Sequence, residues 1–161
     1  MNVGPPPGCC GRFLICRNLR PFSVPEREET SAGGFPALGV KLGLPDKPVV
    51  AIVGDGGAGW SIQSLWTAAR YHIPVTFVIT NNATYRQVKL VRKMVLGEYP
   101  LTEKHEGMEL DDPVLNFSMI AQSMGVKGES VKDPADLGRV LKAAFDSGEP
   151  RLVEVFVENR P

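Results

Sequence analysis

Two runs along the chain are apolar at nearly every position, "PVVAIVG" at 48–54 and "IPVTFVIT" at 73–80. Strands of that kind are buried on both faces, as in a parallel sheet. Between them Ile62, Leu65, Trp66 and Ala69 recur at i, i+3, i+4 and i+7, which predicts a helix over 60–71 with one apolar stripe. A short helix is expected upstream in "FPALGVKLGL", and another over 84–95. Residues 96–112, "LGEYPLTEKHEGMELDD", are polar and without period, a length that inside a compact domain marks a lid or a binding loop. Phe117, Ile120, Ala121 and Met124 mark a further helix stopped by Gly125, and "VKGESV" holds a short strand. Asp133 reads as an N-cap with Pro134 in the first helical position, followed by a stripe of Leu137, Val140, Leu141, Ala144 and Phe145. "PRLVEVFVE" closes the chain as a last strand. Alternation of this kind predicts a doubly wound α/β fold, a mainly parallel sheet with helices on both faces, whose ligands bind at the carboxyl ends of the strands.

Residues 1–30 differ in texture: Pro, Gly, Cys and Arg crowd together without periodicity, and "PEREET" adds a charge run. A poorly ordered or non-homologous N-terminal arm is expected there, with the folded domain over 31–161. Cys9, Cys10 and Cys16 all fall in this arm, outside any zinc-type spacing, and read as incidental. The 161 residues, 43% hydrophobic and 22% charged, suit one globular unit. Eighteen basic and eighteen acidic residues sum to zero, which removes the electrostatic case for nucleic acid or an anionic membrane as partner. No apolar run approaches the roughly 20 residues of a membrane span, and "FLIC" is too short for a secretory core, so a cytoplasmic location is expected.

Gly54, Gly56 and Gly59 spell G-x-G-x-x-G between the first strand and the first long helix, the arrangement that receives a pyrophosphate. Asp55 conflicts with that reading, because its carboxylate would face the anion unless a cation stood between them. The second strand, moreover, ends in "TNNATY" with no acidic residue to hold a ribose. The amide oxygens of Asn81 and Asn82 suit a hard cation instead. If the two strands are neighbours, Asp55 and Asn82 bind Mg²⁺, the metal binds a diphosphate, and the amides of Gly56, Gly57 and Ala58 complete the cradle. A dinucleotide-binding oxidoreductase stays as a distant alternative, removed by failure to bind NAD or FAD.

Gly-Asp-Gly at 54–56, then positions 57–80, then Asn81-Asn82 resembles the diphosphate-binding motif of thiamine diphosphate enzymes. Over residues 36–158 the chain is similar to the C-terminal, diphosphate-binding domain of benzoylformate decarboxylase and its acetolactate synthase-like relatives. The resemblance implies that fold, shortened at its N-terminal edge, with thiamine diphosphate and Mg²⁺ as cofactors. It makes Asp55 and Asn82 side-chain ligands of Mg²⁺ and Thr84 a ligand through its main-chain carbonyl, with Gly56, Gly57, Ala58 and Tyr85 lining the cofactor. The activity implied is decarboxylation of a 2-oxo acid, in which the cofactor carries the chemistry and the protein orients it. A pyrimidine-binding domain from a partner chain or from another copy of the chain would be needed, since nothing here resembles one. The alternatives are a part of an acetolactate synthase-like carboligase, or a non-catalytic remnant that keeps the fold. The family's glycine-rich turn should lie near 28–34, where "EETSAGG" matches poorly. No catalytic side chain is assigned: His105 reads as a solvated loop residue, His72 as a helix C-terminal residue favoured by the dipole. Trp60 and Trp66 are expected to pack inward, and "RQVKLVRK" to form a solvated face or a subunit contact.

Overall fold

A computed structural model of the protein describes residues 12–15, 22–24, 34–97 and 104–158, with side chains from residue 36 onward. The elements are β1 (Arg12–Ile15), β2 (Phe22–Val24), α1 (Gly34–Gly43), β3 (Val49–Gly54), α2 (Asp55–Ser61), α3 (Ser64–Arg70), β4 (Val75–Asn81), α4 (Arg86–Leu96), α5 (Phe117–Ser123), β5 (Lys127–Val131), α6 (Pro134–Asp146) and β6 (Arg151–Phe156). They form one sheet in the order β2-β1-β3-β4-β6-β5. Strands β3, β4, β6 and β5 are parallel, and the two unbroken apolar runs, β3 and β4, are the central pair. The expected arm has no strand pattern, yet β1 and β2 lie within it and extend the sheet antiparallel beyond β3. Its other residues, the three cysteines and Glu28–Gly33 lie outside the described residues.

One face of the sheet carries the larger core. Val49, Ala51 and Val53 of β3, Val75, Phe77 and Ile79 of β4 and Leu152 of β6 meet α1, α2, α3 and α5 through Leu38, Ala58, Leu65, Ala68, Phe117 and Ala121. Full burial of such aliphatic and aromatic side chains contributes about 1.5–3 kcal/mol each, so this face sets the register of the parallel strands. The other face is covered at one end by α6, where Val140 and Ala144 pack on Val131 and Val153. Asp133 caps α6 as expected, its Oδ1 accepting the Ala135 amide at 2.9 Å. Phe145 of the expected stripe is instead 45% exposed.

The predicted helix over 60–71 is two helices with a break at Ile62 and Gln63. The break turns the core-facing stripe to Ala58, Ser61, Leu65 and Ala68, all buried, and Trp66 rotates outward. Trp60 and Trp66 are 71% and 53% exposed, against the expectation that they pack inward. The Arg70 guanidinium covers the Trp66 ring at 5.3 Å from its centroid. His72 lies just past α3 with φ of 50°, in the left-handed conformation that ends helices. Small residues also set the approach of β5 to α5: a Cβ on Gly128 would overlap the Ser118 backbone.

Candidate functional site

β3 and β4 are adjacent and parallel, with Gly54 opposite Thr80, so the residues that follow them meet at one edge of the sheet. Asp55 opens α2 there and is buried. Its Oδ1 accepts the Gly56 amide at 2.9 Å and its Oδ2 the Asn82 amide at 3.2 Å. Asp55 therefore ties the glycine turn to the turn after β4, two segments 27 residues apart. Burial raises the Asp55 carboxyl above its ordinary 3.8, against the amides of Gly56, Ala83, Asn82 and Thr84, which lower it.

The turn after β4 is rigidly built. Asn81 Oδ1 accepts the Ala83 amide at 3.0 Å and Asn82 Oδ1 accepts the Thr84 amide at 3.2 Å, two overlapping side-chain turns. Ala83 is left-handed at φ 55°, and Tyr85, at φ −74° and ψ 61°, forms an inverse γ-turn in which Arg86 N donates to Thr84 O at 2.8 Å. The long polar stretch packs on this turn over residues 104–112. Met108 O accepts the Tyr85 amide and the Thr84 hydroxyl, each at 2.8 Å, and Leu110 N donates to Ala83 O. Lys89, 1% exposed, reaches Glu109 at 2.6 Å. Burial pushes the Glu109 carboxyl up, but Lys89 and the His105 amide outweigh it and hold Glu109 below its ordinary 4.5. His105 is half-buried in this packed segment rather than solvated.

The residues expected to line a cofactor are thus gathered in one place. Gly56 is buried under the Tyr85 ring, which a Cβ at position 56 would meet at 2.6 Å. Gly57 lies against Val53, while the Ala58 methyl turns into the core and leaves only its backbone for a ligand. Asn82 is half-buried and Thr84 buried. The oxygens offered by these residues are the Asp55 carboxylate, the Asn82 amide oxygen and the Thr84 carbonyl, the last two accepting from Thr84 N and Arg86 N. That donor set fits a small hard cation that keeps water or phosphate in its other positions. Among the described residues no three His, Cys, Asp or Glu cluster for a softer metal.

Glu154 escaped the sequence reading, although a lone carboxylate in "RLVEVF", an otherwise apolar strand, is a visible signal. It is fully buried, two positions from the residue that faces Asn81 across β4 and β6. Its Oε1 accepts from Asn81 Nδ2 at 2.8 Å. The Lys89–Glu109 pair had no comparable signal, because Lys89 is one of four cations in "RQVKLVRK". On α4 the exposed residues include an apolar set, Val88, Val91, Met94 and Val95, beside Gln87, Arg92 and Lys93, while Lys89 points inward.

The family model described as "Thiamine pyrophosphate enzyme, C-terminal TPP binding domain" matches residues 29–155. The match starts ahead of residue 36, where the similarity visible in the sequence begins, and takes in most of "EETSAGG". A benzoylformate decarboxylase of Pseudomonas aeruginosa is 34% identical over 123 residues, covering 76% of this chain and 22% of the relative. An acetolactate synthase large subunit of Parasynechococcus marenigrum is 35% identical over 130 residues, covering 80% and 20%. Among solved structures, the thiamine diphosphate-dependent 4-hydroxybenzoylformate decarboxylase of Rhodococcus jostii RHA1 aligns with a TM-score of 0.71 at 32% identity, covering 80% of this chain and 23% of that one. The chain spans about a quarter of the length of the curated relatives it matches, 24% and 22% for the first two.

Proposed function

This chain belongs to the thiamine pyrophosphate enzyme family, whose C-terminal TPP binding domain it carries, and from that premise we propose that it is the diphosphate-binding part of a Mg²⁺-dependent, benzoylformate decarboxylase-like 2-oxo acid decarboxylase. The observation that carries the proposal is Asp55, a buried carboxylate raised by burial where the ends of β3 and β4 meet. A cation relieves that penalty, and the Asn82 amide oxygen and the Thr84 carbonyl complete the protein's share of its shell. The amides of Gly56, Gly57 and Ala58 would take diphosphate oxygens, and Tyr85, seated on Gly56, would wall the same site. The bound cofactor supplies the electron sink for decarboxylation; the protein binds, orients and neutralises charge.

In this proposal residues 31–161 form the cofactor domain, in the cytoplasm, and activity requires a pyrimidine-binding domain from a partner chain or a second copy. The exposed apolar set on α4 supports a covering partner, since apolar surface of this kind marks interaction sites. A carboligase is the second reading, favoured by the 35% identity to an acetolactate synthase large subunit. The test is calorimetric titration of the chain with thiamine diphosphate, with and without Mg²⁺, repeated on Asp55→Ala. Metal-dependent binding lost in the variant is the expected result, and no binding by a folded wild-type chain overturns the proposal. Product analysis with a pyrimidine-domain partner present then separates the readings: an aldehyde for the decarboxylase, a carboligated acid for the synthase.

A further inference from the structure

We propose that Glu154 is a positioning residue of the cofactor turn, acting through Asn81; the inference rests on the proposed Mg²⁺-diphosphate site. Glu154, fully buried, accepts four hydrogen bonds: Asn81 Nδ2 at 2.8 Å and Phe117 N at 3.3 Å on Oε1, Ser130 Oγ at 2.8 Å and Ser118 N at 3.3 Å on Oε2. The carboxylate is thereby fixed by α5 on one side and β5 on the other. What it fixes in turn is the sense of the Asn81 amide. An asparagine can sit in its site in two orientations, and the hydrogen-bond network decides between them. Glu154 and Leu115 O, at 3.3 Å, are both acceptors, so Nδ2 must face them and Oδ1 must face the Ala83 amide.

That bond holds Ala83 in its left-handed conformation, unfavourable for a residue with a Cβ. Ala83 stands between Asn82 and Thr84, the two residues of this turn that offer oxygen to the metal. A flipped or loosened Asn81 would set an N–H against the Ala83 N–H and release the turn. Glu154 thus acts on the site without facing it.

The test compares Glu154→Gln with Ser130→Ala in the full chain. Glu154→Gln leaves donors opposed around the new amide, toward Asn81 or toward Ser118, whereas Ser130→Ala removes a bond from the same carboxylate on the side away from Asn81. The first readout needs no ligand: amide hydrogen exchange at Ala83 and Thr84. Exchange there is expected to rise about tenfold in Glu154→Gln, with Mg²⁺-dependent thiamine diphosphate affinity falling about tenfold, as for other outer partners of metal ligands. Ser130→Ala should lower the melting temperature and leave both unchanged. Equal exchange and equal affinity in the two variants would overturn the inference. A wild-type chain that binds no cofactor would overturn the proposed function instead, and the exchange rates would still decide the relay. Should Glu154→Gln fail to fold, Asn81→Ala breaks the relay at its other end, with the same two outcomes.

Discussion

Asp55 and Glu154 are both carboxylates removed from water, one where the glycine turn begins and the other within β6. An ionised carboxylate offers about four lone-pair sites. Glu154 receives four donors and so has no capacity left. Asp55 receives two amides at bonding distance, keeps the remaining sites, and stays raised by burial. Saturation makes the first a structural anchor, and the shortfall leaves the second as the carboxylate on which the proposed cation site rests.

The largest effect expected is at the saturated group. Glu154→Ala strands the backbone N–H groups of Phe117 and Ser118, each costing about 1–3 kcal/mol when left unpaired in the interior, and takes one partner from Asn81 Nδ2 and from the Ser130 hydroxyl, which keep Leu115 O and Ser118 Oγ. A loss of at least about 2 kcal/mol in urea unfolding is the expected outcome. A loss below about 1 kcal/mol would show that water reaches these donors and would erase the distinction between the two sites.

Asp55→Asn should cost far less. It removes a buried charge, which offsets the new amide NH₂ set against the Gly56 or the Asn82 N–H, so the metal-free chain changes little in stability, while Mg²⁺-dependent cofactor binding falls by more than about 100-fold, beyond what outer partners cost. Folding raises the Asp55 pKa, so the folded chain binds that proton more tightly than the unfolded one. The metal-free wild type therefore loses stability as pH rises above about 3.8 through the folded value, and the Asn variant lacks that slope. Thermal melts between pH 3 and 7, with and without Mg²⁺, would show both effects. A loss without Mg²⁺ as large as that of Glu154→Ala would mean that the two amides already satisfy Asp55.

Lys89 and Glu109 give an intermediate case, a carboxylate satisfied by an ammonium rather than by neutral donors. Lys89→Met keeps the aliphatic stem and should cost about 2 kcal/mol, in the range for hydrogen bonds to charged groups. Here the sign with pH reverses. Folding lowers the Glu109 pKa, so the stability it contributes is present above about 4.5 and lost as pH falls through the lower folded value. The Met variant should show a weaker loss in acid over that window. An unchanged acid limb would place the stabilisation of Glu109 elsewhere.

The difference between the regions also marks what could be read from the chain. β3 and β4 were legible because burial on both faces leaves an unbroken apolar run, and Asp55 with Asn82 because the glycines and the spacing up to Asn81-Asn82 admit few geometries. The break after Ser61 was not legible, since Ile62, Leu65, Trp66 and Ala69 form as regular a stripe as the one used. Only the seat of α2 against the sheet chooses between them. Glu154 and the Lys89–Glu109 pair depend on partners far along the chain, Asn81 at 73 positions and Glu109 at 20. Local pattern does not encode such pairings.

Gly56 offers the smallest perturbation and a direct check on the open site. A methyl at position 56 would stand 2.6 Å from the Tyr85 ring. The ring is half-buried, so it can swing away at a cost of about 1 kcal/mol, the low end for overpacking. In moving, it pulls on the Tyr85 amide held by Met108 and on the turn that carries Asn82 and Thr84. Gly56→Ala should therefore weaken Mg²⁺-dependent cofactor binding more than it weakens the fold. Tyr85→Ala in the same chain removes the collision and should restore part of the affinity, with coupling of about 0.5 kcal/mol or more as expected for residues in contact. Strictly additive losses would mean that the methyl blocks the diphosphate amides directly, which confines the openness of the Asp55 site to the glycine turn and leaves the ring no part in it.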